Sequence, residues 1–324
     1  MRVNIERPAA SLAIISRSEI KKTRNMRRIT PSALVTIFCL MVSAIACDRK
    51  DASTILFPTP AHHEWGKNHF VFTPETVISV ENDDQKAVAD WFSWLFAGPA
   101  GFLPQVHSNV KDADMLLRMN SELGIEAYRL TVTARKILVE ASSQVGFFYA
   151  LQTLRFSMPA ELSSKRYVPD MEWKVPAMCV DDAPGFRHRC LSLDVTDHYI
   201  PLRNIMEFID CMAMMKLNHL HLVMDFERDY SREDYELICD HAASLYVAVT
   251  PVSGCIRDLY AFPDDIASRL FPDIAALAQV AWSGEDVTDV MHFNAAVDVL
   301  KRHLAFKGLN EADVIYNITI AELF

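Results

Sequence analysis

FRHRCLSLDVTDHYIPLRNIMEFIDCMAMMKLNHLHLVMD, from Phe186 to Asp225, is the stretch that decides the fold. Cys190 to Val195 alternates apolar and polar residues as a strand does, Pro201 opens an amphipathic helical run to Lys216, and Asn218 to Met224 is a second strand pattern. This is a strand-helix-strand unit. A crossover of that length between apolar strands points to a parallel sheet or a (β/α) barrel, whose polar chemistry collects where the strands end. Those ends carry Asp194, Asp197 and His198, then Met224 and Asp225.

Arg189, Leu193, Asp194, His198, Tyr199, Pro201, Lys216, Asn218, His219, His221, Leu222 and Asp225 match a known pattern, the last four with its H-x-H-L step drawn two residues nearer to Asn218. In that pattern R-G-x-x-L-D-x-S-R-H-[FY]-x-P leads to a helix and then to K-x-N-x-x-H-x-H-L-x-D-D. The stretch thus resembles the start of the catalytic barrel of the family-20 glycoside hydrolases, the β-N-acetylhexosaminidases. Two departures stand at functional positions. The second Arg of the pattern, which grips sugar hydroxyls in the family, is Asp197, and the first Asp of its D-D pair is Met224.

Upstream, Ile55 to Val80 holds strand-like runs broken by Pro and Gly, and Asp84 to Phe96 is a helical pattern expected to turn Trp91, Trp94 and Leu95 inward. Ala127 to Val139 alternates as two strands, and Gly146 to Phe156 reads as a helix. EAYRLTV, ILVEA and GFFYALQTL resemble the small N-terminal domain of the same family, so Glu126, Tyr128 and Gln152 are expected to be structural. The aromatic set Trp91, Trp94, Phe147, Phe148 and Tyr149 is expected in a core because it falls at helical spacing. Val175 to Pro184 resembles the family's interdomain joint. The expected organisation is a signal segment over residues 1–47, an N-terminal α+β domain over 54–174 and an incomplete (β/α) TIM-type barrel over 184–324.

The barrel text is short. Eight strand-helix repeats take about 200 residues or more, whereas only three βα starts can be read after Ala183, the last being Tyr246 to Val252. After Gly254 the text resembles the family's far end, and Ala295 to Leu309 reads as a closing helix. In the family the substrate's acetamido oxygen is the nucleophile, an exception among glycosidases, and an Asp-Glu pair within H-x-G-G-D-E orients the acetamide and protonates the leaving oxygen. This sequence contains neither a Gly-Gly step nor an Asp-Glu dipeptide. The other acidic pairs, including Asp83-Asp84, Asp181-Asp182 and Glu233-Asp234, fall in expected loops, linkers or helix starts. No catalytic residue is therefore assigned. Asp197, His198, Asp225 and Asp258 remain as family-equivalent substrate-contact positions.

Two further readings of histidines arise. His219 and His221 share one face of a strand and would suit a metal only with added ligands; the family pattern accounts for both without one. His198 beside Asp197 suits either a base paired with a carboxylate or a packed residue shaping the strand end. The resemblance implies no metal or organic cofactor.

The chain has 324 residues, 51% hydrophobic and 23% charged, enough for two domains with a sizeable core. A formal charge of -10 argues against a nucleic-acid partner, since no excess of Lys or Arg exists to neutralise phosphates. A glycan containing N-acetylglucosamine or N-acetylgalactosamine is the partner that the resemblance implies. Arg27 and Arg28 precede an apolar run, Ala33 to Ala46, and Ser43 to Cys47 resembles a bacterial lipobox. Cys47 is then a lipidated membrane anchor and the protein a lipoprotein of the bacterial cell envelope, with Met26 a candidate true start. The run falls short of the about 20 apolar residues that a membrane span needs. Cys179, Cys190, Cys211, Cys239 and Cys255 form no C-x-x-C pair and are expected to be small buried side chains.

Overall fold

The computed structural model describes residues 55–196, 199–224, 230–252, 267–284, 289–307 and 318–319. Two sheets organise these residues. The first has seven strands: β1 (His62–Val71), β2 (Val77–Val80), β3 (Gln105–Ser108), β4 (Met115–Met119), β5 (Tyr128–Val132), β6 (Ile137–Ala141) and β7 (Lys174–Asp182). Their spatial order is β1-β7-β5-β6-β4-β2-β3, antiparallel from β1 to β6 and parallel from β6 to β3.

Helix α1 (Asp83–Trp94) starts where the Asn82 side chain accepts a hydrogen bond from the Gln85 N–H, and α2 (Gln144–Phe156) starts where Ser143 does the same for Gly146. Both pack on the sheet. At Gly146 a Cβ would lie 2.7 Å from the Ala127 carbonyl oxygen and 2.9 Å from the Ala141 Cβ, so only glycine lets α2 approach β5 and β6 this closely. Every residue of α2 from Gly146 to Phe156 is buried, because the sheet covers one side of the helix and the second domain the other. Phe148 meets Tyr246 at 4.8 Å between ring centroids, and Tyr149 meets Trp282 at 5.0 Å.

The second sheet has the order β10-β9-β8-β11. Strands β8 (Cys190–Asp194), β9 (His219–Val223) and β10 (Ala248–Val252) are parallel, joined by α3 (Leu202–Met214) and α4 (Arg232–Ser244) as the sequence predicts. Helices α5 (Ala267–Ser283) and α6 (Val290–Lys307) follow, and the two-residue β11 (Ile318–Thr319) pairs antiparallel with β8. Leu191, Leu193, Leu220 and Leu222 share a buried cluster with Ile205, Phe208 and Met212 of α3. The domain is an incomplete (β/α) barrel.

Helices α3 and α4 end alike. The N–H groups of Lys216 and Leu217 donate to the carbonyls of Ala213 and Met212, and those of Tyr246 and Val247 donate to Ala243 and Ala242. Both are Schellman closures. The left-handed residue is not glycine in either: Lys216 has φ +59 and Tyr246 φ +58. Each accepts some backbone strain in a position usually left to glycine, and each sends a long side chain into the junction between the domains.

Three expectations are corrected. Val175 to Asp182 is not a connector but most of β7, paired with both β1 and β5, so the first sheet runs on to Asp182. Trp94 is 66% exposed. The buried stripe of α1 is Gln85, Val88, Ala89, Phe92 and Ser93, and a residue two places beyond Phe92 points to the opposite side of a helix. Of the described cysteines, all free, only Cys211 is buried; its thiol is pushed up to about 12 by burial. Cys179 is exposed because it occupies an outward position in the alternation of β7.

His303 on α6 is fully buried, stacked on Phe156, with its Nδ1 3.0 Å from Ser163 Oγ. Burial, then the nearby Arg155 charge, holds its imidazole down at about 3. The unfolded chain therefore takes up this proton first as the pH falls. Stability linked to His303 is fully present above about 6.5 and is lost through the window from 6.5 towards 3, at up to about 1.4 kcal/mol per pH unit. Urea unfolding across that window should show the slope, and His303→Phe should flatten it.

Candidate functional site

The strand positions set two ends of the second domain against each other. At the floor, where β8 and β9 begin, lies a buried polar network. The Asp182 carboxylate, at the end of β7, accepts from the Tyr128 hydroxyl (2.5 Å), the Trp282 indole N–H (2.9 Å), Lys216 Nζ (3.3 Å) and the Ala61 N–H (3.0 Å). Asp182 and Lys216 are both fully enclosed. Burial lowers the Lys216 ammonium to about 8 against the opposing pull of Asp182. Burial also raises the Tyr128 and Tyr149 hydroxyls, keeping both neutral.

Arg189 forms the second half. Its Nη1 and Nη2 donate to Glu126 Oε2 and Oε1 at 3.0 and 3.1 Å, a two-pronged ion pair. The same guanidinium donates to the carbonyls of Lys216 (2.7 Å) and Phe186 (2.8 Å) and to the Tyr149 hydroxyl (2.8 Å). Asn218 accepts from the Arg189 N–H and donates to Glu126. Arg189 and Lys216 lie 5.0 and 4.1 Å from the centre of the Trp282 ring. Glu126 and Tyr128 are thus structural, as expected, and so is Arg189.

Sequence reasoning missed that Lys216, Asp182 and Trp282 belong to this network. Asp182 does occupy a strand end, contrary to the reading of Asp181-Asp182 as a linker pair, but all its acceptor capacity goes to holding the domains together. The signal was present. Lys216 and Asn218 stand in the K-x-N step, Asp182 in D-A-P, and Trp282 closes the A-L-A-x-x-A-W match.

At the other end of the strands the described residues offer little chemistry. Asp194 Oδ1 accepts from the Thr196 N–H (2.9 Å) and hydroxyl (2.6 Å), so that oxygen is held in its own turn. Met224, where the pattern has Asp, is buried. Tyr199 is exposed and stacks on the buried Tyr230, whose hydroxyl exchanges hydrogen bonds with the Ile200 backbone. Asp197, His198, Asp225, Asp258 and Cys47 lie outside the described residues. Glu233 and Asp234 sit in the first turn of α4, where Asp234 completes a capping box with Ser231.

The sheet face opposite the leucines, which would be the filled interior of a closed barrel, carries Ser192, His221 and Thr250 in one register row. His219 and His221 do share this face, 5.0 Å apart, and His219 Nε2 lies 2.9 Å from Thr250 Oγ1. Burial, then His221 and His188, makes protonation of His219 harder. Among the described residues no three of His, Cys, Asp or Glu gather as metal ligands.

The architecture is thus an α+β domain locked to the floor of an incomplete β/α barrel. The description "Glycosyl hydrolase family 20, domain 2" matches residues 53–183, and "Glycosyl hydrolase family 20, catalytic domain" matches 186–227. Together these span more than half of the chain, which belongs to glycosyl hydrolase family 20. A beta-hexosaminidase of Vibrio furnissii is 33% identical over 179 residues, covering 54% of this chain and 27% of its own length. A beta-hexosaminidase of Porphyromonas gingivalis is 27% identical over 215 residues, covering 62% and 27%. The chain thus spans about a quarter of the length of these curated relatives. The family-20 beta-N-acetylhexosaminidase structure from Streptomyces coelicolor superimposes with a TM-score of 0.56 at 21% identity, over 78% of this chain and 65% of that one.

Removing one side of a buried ion pair leaves the other uncompensated. Glu126→Ala should cost roughly 3–5 kcal/mol of unfolding free energy by urea titration. Glu126→Gln should cost less, because it keeps a hydrogen-bond acceptor for Arg189.

Proposed function

We propose that this chain is a non-hydrolysing member of family 20, held at the bacterial cell envelope by a lipid on Cys47. Its lineage implies glycans ending in N-acetylglucosamine or N-acetylgalactosamine as ligands, with affinity weakened by Asp197 in place of the sugar-gripping Arg. The observation that carries the reading is the missing Asp-Glu pair: without a carboxyl group in reach of the leaving oxygen, general acid catalysis has no proton donor. The described strand ends support it. One oxygen of Asp194 is held by Thr196, Met224 is buried, and the described residues hold three parallel strands where a barrel has eight.

Completion of the barrel by strands from a partner is the competing route to activity, and β10 argues against it. The N–H of Ala248 and the carbonyl of Val252 bond to β9, so Val249 and Pro251 face outward. Proline has no N–H to offer an incoming strand, and the Val249 carbonyl accepts from the Tyr235 hydroxyl at 3.4 Å.

The test is hydrolysis of a chromogenic N-acetylglucosaminide by the purified full chain beside an intact family member. Turnover should stay at background; activity that follows this protein through purification would overturn the proposal. For the anchor, Cys47→Ser should move the protein from the membrane fraction to the soluble one in a bacterial host. Unchanged membrane association would rule lipidation out.

A further inference from the structure

A cleft of about 410 Å³ lies apart from the barrel strands, between the end of α1, helix α2, the turn at Ser163 to Lys165 and helices α3 and α6. Gln152 and Arg155, one turn apart on α2, contribute to its wall. Both are more than nine-tenths buried, and Gln152 Oε1 and Arg155 Nε have no hydrogen-bond partner among the described residues.

Arg155 is a buried cation with no direct ion pair among the described residues, although the charge of Asp210 acts on it from a distance. Its Nη2 donates to Ser163 Oγ at 3.2 Å, and no described carboxylate forms an ion pair with it. Asp210, on the same cleft, is already committed to His241 (2.8 Å) and to Lys307. A guanidinium held this way calls for an anion, and it presents a fork that suits a carboxylate. Lys165 adds positive charge to the cleft, although its ammonium is shared with Glu207 at 3.1 Å.

Two tryptophans, Trp91 and Trp94, also line the cleft. Trp94 lines the cleft and is 66% exposed, although a surface helix normally turns so large an apolar side chain inward. An exposed indole beside convergent polar groups is a surface on which the apolar face of a ring can stack.

We infer that this cleft binds an acidic sugar, a pyranose bearing a carboxylate. Its carboxylate meets Arg155, and the ring lies on Trp94. The site lies away from the barrel strands and does not depend on whether they hydrolyse anything, so it goes beyond the function proposed above.

Titration of the full chain with glucuronate, followed by calorimetry and tryptophan fluorescence, tests it, with glucose and inorganic phosphate as separate probes. Glucuronate should bind saturably, and glucose and phosphate at least about tenfold more weakly, since each lacks one half of the recognition. Trp94→Ala, at an exposed position, should weaken glucuronate binding by about tenfold without changing the unfolding midpoint. Arg155→Lys, which keeps the charge but loses the fork, should weaken it as well. Equal binding of glucose and glucuronate would overturn the inference. So would phosphate binding as tight as glucuronate, no glucuronate binding, or a Trp94→Ala variant that binds as before.

Discussion

One carboxylate, Asp182, holds the two domains in register. It sits at the last residue of the first sheet and takes donors from β5, from the residue closing α3 and from the end of α5. Enclosing such a charge costs several kcal/mol unless each lone pair is met. All of its donors must therefore be in place together, which favours a single relative placement of sheet and barrel. Trp282 reinforces the choice, because its ring faces Lys216 and Arg189 while its N–H binds Asp182. An aliphatic residue there would fill space but could neither offer a π face to the two cations nor donate to Asp182.

The residues that match the family divide by position. Those at the strand starts, Arg189, Lys216 and Asn218, are joined with Glu126, Tyr128 and Asp182 in a satisfied network. Departures from the family pattern, Asp197 and Met224, fall where strands end. In a β/α barrel the starting ends serve stability and the finishing ends serve chemistry. On the reading proposed above, the chain keeps what folds it and changes what would act on a substrate.

Much of this was legible in residue order. The alternation in Cys190 to Val195 and Asn218 to Met224 placed β8 and β9, because a period of two on one face leaves little choice. The role of Arg189 was readable too. What escaped was long-range. Val175 to Asp182 contains a proline and adjoins a joint motif, so local signals spoke for a linker, while its pairing with β1 depends on a strand more than a hundred residues earlier. Trp94 was misread because it was grouped by helical spacing with Trp91 and Leu95, whereas the phase set by Val88 and Phe92 puts it outside. Lys216 was hidden by the helix ending it completes. A left-handed closing residue is usually glycine, and nothing local announces that a lysine there reaches a buried carboxylate.

An incomplete barrel faces one more constraint, since opening a sheet exposes an edge that can pair with other chains. The geometry of β10 answers it locally. Because parallel pairing makes alternate residues bond to one neighbour, the register with β9 commits residues 248, 250 and 252 inward and leaves 249 and 251 outward. Had the register been one residue different, Pro251 would have faced β9 and cost the sheet a hydrogen bond. As it stands the proline lies where its missing N–H is harmless to this chain and useless to another, and Tyr235 caps the carbonyl beside it. The same placement that lets the sheet end at β10 denies a further strand a good ladder there, so stability of the open sheet and closure of the barrel pull in opposite directions.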